Sequence, residues 1–214
     1  MKLILASASA RRAEILRDAG IPFETLSMDV DESPRAGETV EAMALRLAEA
    51  KARAAVASLE SPRETAIVVG ADTVVDLDGE VLGKPSSARV AAEMLRKLSG
   101  RMHRVVTGLA VIRVPDGEAR LELETTQVCF AALTAEEIEQ YAATDEPLDK
   151  AGAYAIQGIA GRYVERIEGC YFNVVGLPLA RLYRILKELG WQPDAPNELQ
   201  RATGNDKGGL SGRP

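Results

Sequence analysis

The sequence predicts an α/β fold built on a mixed β-sheet flanked by helices. Two observations carry this: apolar strand-like runs alternate with stretches of helical periodicity, and one clear hairpin and one long β-ribbon interrupt that alternation, which excludes a pure βαβ array. Lys2 to Ala6 reads as a short buried strand. Ser9 stands at the N-cap position of a helix with Ile15, Leu16 and Ala19 on its apolar face and Gly20 as its stop. Met28 to Gly37 is a loop rich in acidic and turn residues. Thr39 opens an alanine-rich helix to about Ser58, with Val40, Met43, Leu47, Ala50 and Ala54 at helical spacing. Ala66 to Val69 is a compact strand ending at Gly70. Val74 to Leu77 and Glu80 to Leu82 flank Asp78-Gly79, a hairpin signal. Ser86 or Ser87 caps a helix to Leu98, closed by Ser99-Gly100. Arg104 to Val114 and Glu118 to Phe130 are two long strands around Pro115-Asp116-Gly117. Thr134-Ala135-Glu136-Glu137 is a capping box for a helix to about Ala143. Asp149 to Gly161 reads as a glycine-rich loop, Tyr171 to Val175 as a strand, and Pro178 to Leu189 as a last helix ended by Gly190.

Length and composition bound the function. The chain has 214 residues, 46% apolar and 27% charged, which suffices for one sizeable core. Residues 1–191 read as a single domain, and 192–214 as a disordered tail in which apolar residues nearly vanish. With 26 basic against 32 acidic residues, the net charge of −6 argues against a non-specific nucleic-acid binder, though not against an anionic substrate in a local basic pocket. Cys129 and Cys170 are too few for a disulfide scaffold and have no metal-ligand spacing. The single histidine, His103, makes a histidine-based zinc site improbable. The N-terminal apolar run is too short for a signal peptide, and no run approaches the ~18 apolar residues of a membrane span. The expectation is a cytoplasmic protein without membrane partners.

Several segments suggest chemistry. Ser7-Ala8-Ser9-Ala10-Arg11-Arg12 places two hydroxyls and two arginines where a strand turns into a helix. Cations in a first helical turn oppose the helix dipole, by about 0.3–1 kcal/mol each, unless an anion fills the site. Free N–H groups, hydroxyls and guanidinium forks would then converge on phosphate oxygens. Gly70-Ala71-Asp72-Thr73 puts a carboxylate after an apolar strand, either as a metal ligand or proton-transfer group or as a turn-forming residue. Lys84, between Gly83 and Pro85, reads as a loop lysine or a compact charge aimed at a phosphate. Lys51 lies at the border of its helix's apolar face, and either packs there or snorkels toward a cleft. In Asp149 to Gly158, Gln157 carries an amide that both donates and accepts. The apolar run from Gly169 to Pro178 reads as mainly structural.

Taken together and in order, these segments resemble the Maf family of nucleotide pyrophosphatases, also called septum-formation inhibitor proteins. The resemblance rests on Ser7-x-Ser9-x-Arg11-Arg12, Asp31-Glu32, Lys51, Gly70-Ala71-Asp72-Thr73, Gly83-Lys84-Pro85, Leu98-Ser99-Gly100 through Thr107-Gly108, Asp149-Lys150-Ala151-Gly152, Ile156-Gln157-Gly158 and Asn173-Val174-Val175-Gly176-Leu177-Pro178. It implies an elongated, curved mixed sheet with two lobes around a deep cleft, similar to the inosine triphosphate pyrophosphatase fold. It further implies hydrolysis of a nucleoside triphosphate to the monophosphate and pyrophosphate with a divalent cation, Mg²⁺ or Mn²⁺. By position, Asp72 is the implied catalytic acid/base, and Arg11, Thr73 and Gln157 are the implied substrate-choice residues. Ser7, Ser9, Arg12, Lys51 and Lys84 would meet phosphate, and Asp72 and Glu32 the metal. Ala-Asp-Thr and Ile-Gln-Gly match the dTTP/UTP subgroup, whereas the 7-methyl-GTP subgroup carries Ser-Asp-Gln and a glutamate at the Gln157 position. Ala10 departs from the usual proline, which implies a looser phosphate loop. The alternatives are the 7-methyl-GTP enzyme and a nucleotide-binding regulator of cell division. The family tends to homodimers, although no feature of this sequence demands one.

Overall fold

The structure, a computed structural model, describes residues 1–59 and 65–192. The tail expected to be disordered therefore lies, past residue 192, outside the described residues. The elements run β1 (Lys2–Leu5), α1 (Ala10–Asp18), β2 (Glu24–Thr25), α2 (Val40–Ala57), β3 (Ala66–Leu77), β4 (Glu80–Leu82), α3 (Ala88–Leu98), β5 (Met102–Val114), β6 (Ala119–Phe130), α4 (Ala135–Ala142), β7 (Val164–Glu168), α5 (Tyr171–Val175) and α6 (Leu179–Glu188). Three 3₁₀ turns, Glu146–Asp149, Ala151–Ala153 and Ile159–Tyr163, lie between α4 and β7. The seven strands form one mixed sheet ordered β2-β1-β3-β5-β6-β7, with β4 paired to β3. β1 is parallel to β2 and β3, because α1 and α2 supply crossovers; the ribbon and hairpin supply the antiparallel part.

β3 positions the site. Its residues Ala66–Val69 pair with β1 and Val75–Leu77 with β4, so one edge changes partner midway. On the other edge β5 runs unbroken from Ala66 to Asp76. Residues 70–74 thus face a gap between β1 and β4. The alternation of a strand divides their environment. Val68 and Val74 lie on the α2 side, with Ala48 and Ala44 respectively. On the opposite face Ile67, Val69 and Ala71 join a core with α1 and α6, while Val75 and Leu77 join a second core with α3 and α4. The two cores meet at Thr73, which gives the molecule its two lobes.

Two expectations need correction. β3 does not end at Gly70. That glycine serves close packing, because a Cβ there would overlap the Ala48 carbonyl oxygen, and one at Gly108 would overlap that of Ala44. The backbone of α2 therefore rests directly on β3 and β5. Tyr171 to Val175 is helix α5, not a strand. The edge of β6 that such a strand would need is taken by β7, a solvent-facing strand that the sequence pattern does not reveal. A buried Asn173 amide donating to Val105 O (2.9 Å) and Thr126 Oγ1 (3.0 Å) pins the short helix to β5 and β6. Among the described residues, no helix is long and apolar enough to cross a membrane.

His103 is a core residue. Its ring packs edge-on to Phe130 and Tyr154, and Nε2 lies 2.8 Å from the Tyr154 hydroxyl. Burial pushes its pKa down to about 4, so it stays neutral in the fold while the unfolded chain protonates near pH 6.5. The unfolded state then binds more protons below pH 6.5, and stability falls as pH drops from 6.5 through 4. Wild type should lose about 2 kcal/mol more than His103→Phe between pH 7 and 4.5, read by urea denaturation. Equal losses would contradict a neutral buried imidazole.

Candidate active site

The gap between β1 and β4 opens into a cleft of about 810 Å³, and every site residue singled out from the sequence lines it. β1 stops at Leu5, its pairing prolonged by the Ala6 N–H to Val69 O bond (2.8 Å), and α1 starts at Ala10. Ser9 holds the N-cap position with extended backbone, but its side chain makes no capping bond; Ser7 Oγ accepts from Ser9 N instead (3.2 Å). The first turn of α1 holds no acidic residue and points at the cleft with Arg11 and Arg12.

Arg12 is buried and knits the site together. Its Nε donates to Gly176 O (2.7 Å), one terminal nitrogen to Ser7 Oγ (3.1 Å) and the other to Thr73 Oγ1 (3.0 Å). Thr73 Oγ1 also lies 2.9 Å from Thr107 Oγ1. Burial lowers the Arg12 pKa from its ordinary value, and the nearby Asp72 charge is the main opposing influence. None of its observed bonds goes to a carboxylate, so this guanidinium carries a buried charge that an incoming anion would neutralise. The sequence assigned Arg12 to phosphate; the structure adds that it joins β1, β3 and the α5–α6 turn.

Asp72 lies on the α2 side of the sheet. Because α2 is seated on Gly70 and Gly108, Lys51 on the following turn reaches across, and its Nζ is 2.6 Å from Asp72 Oδ1. The same nitrogen is 2.6 Å from Glu32 Oε1, which draws the acidic loop over the cleft. That hydrogen bond holds the Glu32 carboxyl below the usual range against the opposing effect of burial. Lys84, on the β4–α3 connection, and Gln157 are both exposed and line the cleft. Arg11 NH1 lies 3.7 Å from Asp149 Oδ2, and Asp149 also pairs with Lys150. Burial pushes the Asp149 carboxyl up, but Lys150 and Arg11 outweigh it and leave it below the ordinary value.

Sequence reasoning gave no role to Asp149, Lys150, Thr107 or the Gly176 carbonyl. The last two act through tertiary contacts 34 and 103 residues from Thr73, and such contacts leave no local signature. Asp149 and Lys150 are neighbours in sequence, and the fold brings Asp149 against Arg11.

The donor set suits a hard divalent cation. Two carboxylates, on Asp72 and Glu32, converge on one point now filled by the Lys51 ammonium. No group of three or more His, Cys, Asp or Glu that could hold a metal occurs among the described residues, so a cation here would complete its shell with phosphate oxygens and water, as Mg²⁺ prefers.

A mixed sheet with a parallel switch point, a helix N-terminus and cations gathered around two carboxylates mark an α/β protein whose cleft suits a polyanion. The chain belongs to the Maf family: the family model described as Maf-like protein matches residues 2–189. It is 47% identical over 190 residues to a dTTP/UTP pyrophosphatase of Pelotomaculum thermopropionicum, covering 89% of this chain and 97% of that one. It is 50% identical over 194 residues to a dTTP/UTP pyrophosphatase of Moorella thermoacetica, covering 88% and 95%. Among solved structures, the Staphylococcus aureus Ham1 protein matches with a TM-score of 0.47 at 17% identity, over 88% of this chain and 100% of that one.

Proposed function

We propose that this protein hydrolyses dTTP and UTP to the monophosphate and pyrophosphate in the cytoplasm, with Mg²⁺ or Mn²⁺. The observation that carries the reading is Lys51 Nζ at 2.6 Å from both Asp72 and Glu32, in a cleft also lined by Arg11, Arg12 and Lys84. Two carboxylates among the cations of a polyanion cleft supply a group to take a proton from water and ligands for a divalent cation, which hydrolysis requires. The names of the relatives support the same substrate class.

The chemistry follows from the residues. The triphosphate enters along the α1 N-terminus, where amide N–H groups, Ser7, Arg11 and Arg12 face its oxygens. Lys51 engages Oδ1 of Asp72, leaving Oδ2 to take a proton from water. The water oxygen bonds to the α-phosphorus as the bond to the α,β-bridging oxygen breaks, and pyrophosphate leaves with the electron pair. Lys84 and Arg11 face the charge gathering on that leaving group. Asp72 and Glu32 would hold a divalent cation beside the Lys51 ammonium, and when bound it would supply further neutralisation of phosphate oxygens. Gln157 meets the base: uracil and thymine present N3–H as donor and O4 as acceptor, which one amide can satisfy together.

Pyrophosphate release is the test, measured with dTTP, UTP, CTP, GTP and 7-methyl-GTP, each with Mg²⁺, Mn²⁺ or chelator. Release is expected from dTTP and UTP and lost with chelator. Release from 7-methyl-GTP alone would keep the hydrolytic role of the cleft and overturn the reading of Gln157. No release from any nucleotide would return the cleft to a binding or regulatory role.

A further inference from the structure

Gln157 stands at the apex of a turn closed by Gly158 N donating to Ala155 O (3.1 Å). Its own side chain has no hydrogen-bond partner among the described residues, so its aim is set by the turn beneath it. That turn sits on Glu146, which does not line the cleft. Glu146 Oε2 accepts from Ile159 N (2.9 Å), and Oε1 accepts from Ala160 N (3.3 Å) and from the Tyr141 hydroxyl (2.9 Å). Tyr141 is 1% exposed within the second core, so the carboxylate is anchored to rigid structure. The contact is close enough that any Cβ on Gly158 would overlap the carboxylate. Glu146 also opens the 3₁₀ turn Glu146–Asp149, whose last residue faces Arg11 across the cleft. One half-buried carboxylate thus seats the segment that carries Gln157.

We propose that Glu146 is a positioning residue for base selection: by binding the amides of Ile159 and Ala160 it fixes where Gln157 meets the nucleobase. The proposal rests on the reading of Gln157 given above. No other group in this contact set replaces it. A glutamine in its place keeps the size but turns one acceptor into a donor facing an N–H, so one amide loses its partner.

The test is a double-mutant cycle on selectivity. In Glu146→Gln, the ratio of kcat/KM for the preferred nucleotide over GTP should fall by about tenfold or more, since misplacement of a recognition group by about 1 Å can cost 100-fold. The loss should appear mainly in KM. In a Gln157→Ala background, Glu146→Gln should leave the ratio within about twofold, because a residue acting through Gln157 is silent without it. Tyr141→Phe keeps both amide bonds and should retain most of the selectivity, which separates positioning from general weakening of the core. Hydrogen exchange should quicken in residues 155–161 of Glu146→Gln and stay unchanged in β3 and β5. An unchanged ratio in Glu146→Gln, or effects of the two substitutions that multiply, would overturn the proposal. The same ratios read from nucleotide binding with chelator present separate the two claims. A wild type that binds but does not hydrolyse, or prefers a purine, refutes the function reading, while the cycle still decides the role of Glu146.

Discussion

Asp72→Asn is expected to reduce kcat for dTTP and UTP by at least about 1,000-fold, within the range that loss of a proton-transfer group produces. Asparagine is nearly isosteric, and its Oδ1 can still accept from Lys51 Nζ, now 2.6 Å from the carboxylate. It cannot take a proton from water at neutral pH. The fold should therefore persist while the chemical step fails. Binding should not suffer, because the substitution removes a negative charge from a site that receives a polyanion. Calorimetric titration of UTP without metal should show equal or tighter affinity, and pyrophosphate release should fall to background. Turnover within tenfold of wild type would remove Asp72 from the mechanism. The variant also separates two roles: a residue that served only as metal ligand would regain turnover at high Mn²⁺, and a general base would not.

The same residue shows what was legible in the sequence. A carboxylate after an apolar run drew attention because burying it is costly, and the neighbouring Gly70 suggested a strand end. In the structure Asp72 is mid-strand, opposite Gly108 on β5, and it reaches the cleft because β1 stops and β4 has not begun. Strand propensity describes one strand at a time, whereas this opening is a property of three. Arg11 and Arg12 were readable because cations in a first helical turn oppose the dipole, whereas Asp72, Lys51 and Lys84 each kept a structural alternative and took their roles from the resemblance to the Maf family. The network that aims them was not: Arg12 to Gly176 spans 164 residues, and Glu146 to Ile159 joins a carboxylate to an amide with no pattern between them. The helical α5 was hidden for a related reason, since Tyr171-Phe172-Asn173-Val174-Val175 is too short for periodicity to separate strand from helix, and the deciding factor is that β7 occupies the edge of β6.

Gly70→Ala should damage both stability and turnover, unlike Asp72→Asn, which strikes turnover alone. The added methyl would overlap the Ala48 carbonyl oxygen and stand 2.8 Å from Ala52 N and 2.9 Å from Ala52 Cβ. Those are backbone atoms and a Cβ, so no rotamer change relieves the clash and α2 must lift from the sheet. Overpacking of this kind costs about 1–3 kcal/mol. In a domain of this size each kcal/mol lowers Tm by about 2–4 °C. Lys51 adjoins Ala52, so the lift carries its Nζ away from Asp72 and Glu32, and a displacement near 1 Å lowers kcat/KM by about 100-fold. Thermal denaturation and pyrophosphate release on the same preparation read both effects. Gly108→Ala, against Ala44 on the same helix, should reproduce the pair of losses. If either variant kept full turnover with a lowered Tm, α2 could move without moving Lys51, and the seating of that helix would not set the catalytic geometry. If both losses appear together, the two glycines act on catalysis through packing: the sheet lacks side chains there so that a lysine one turn along can stand beside a carboxylate.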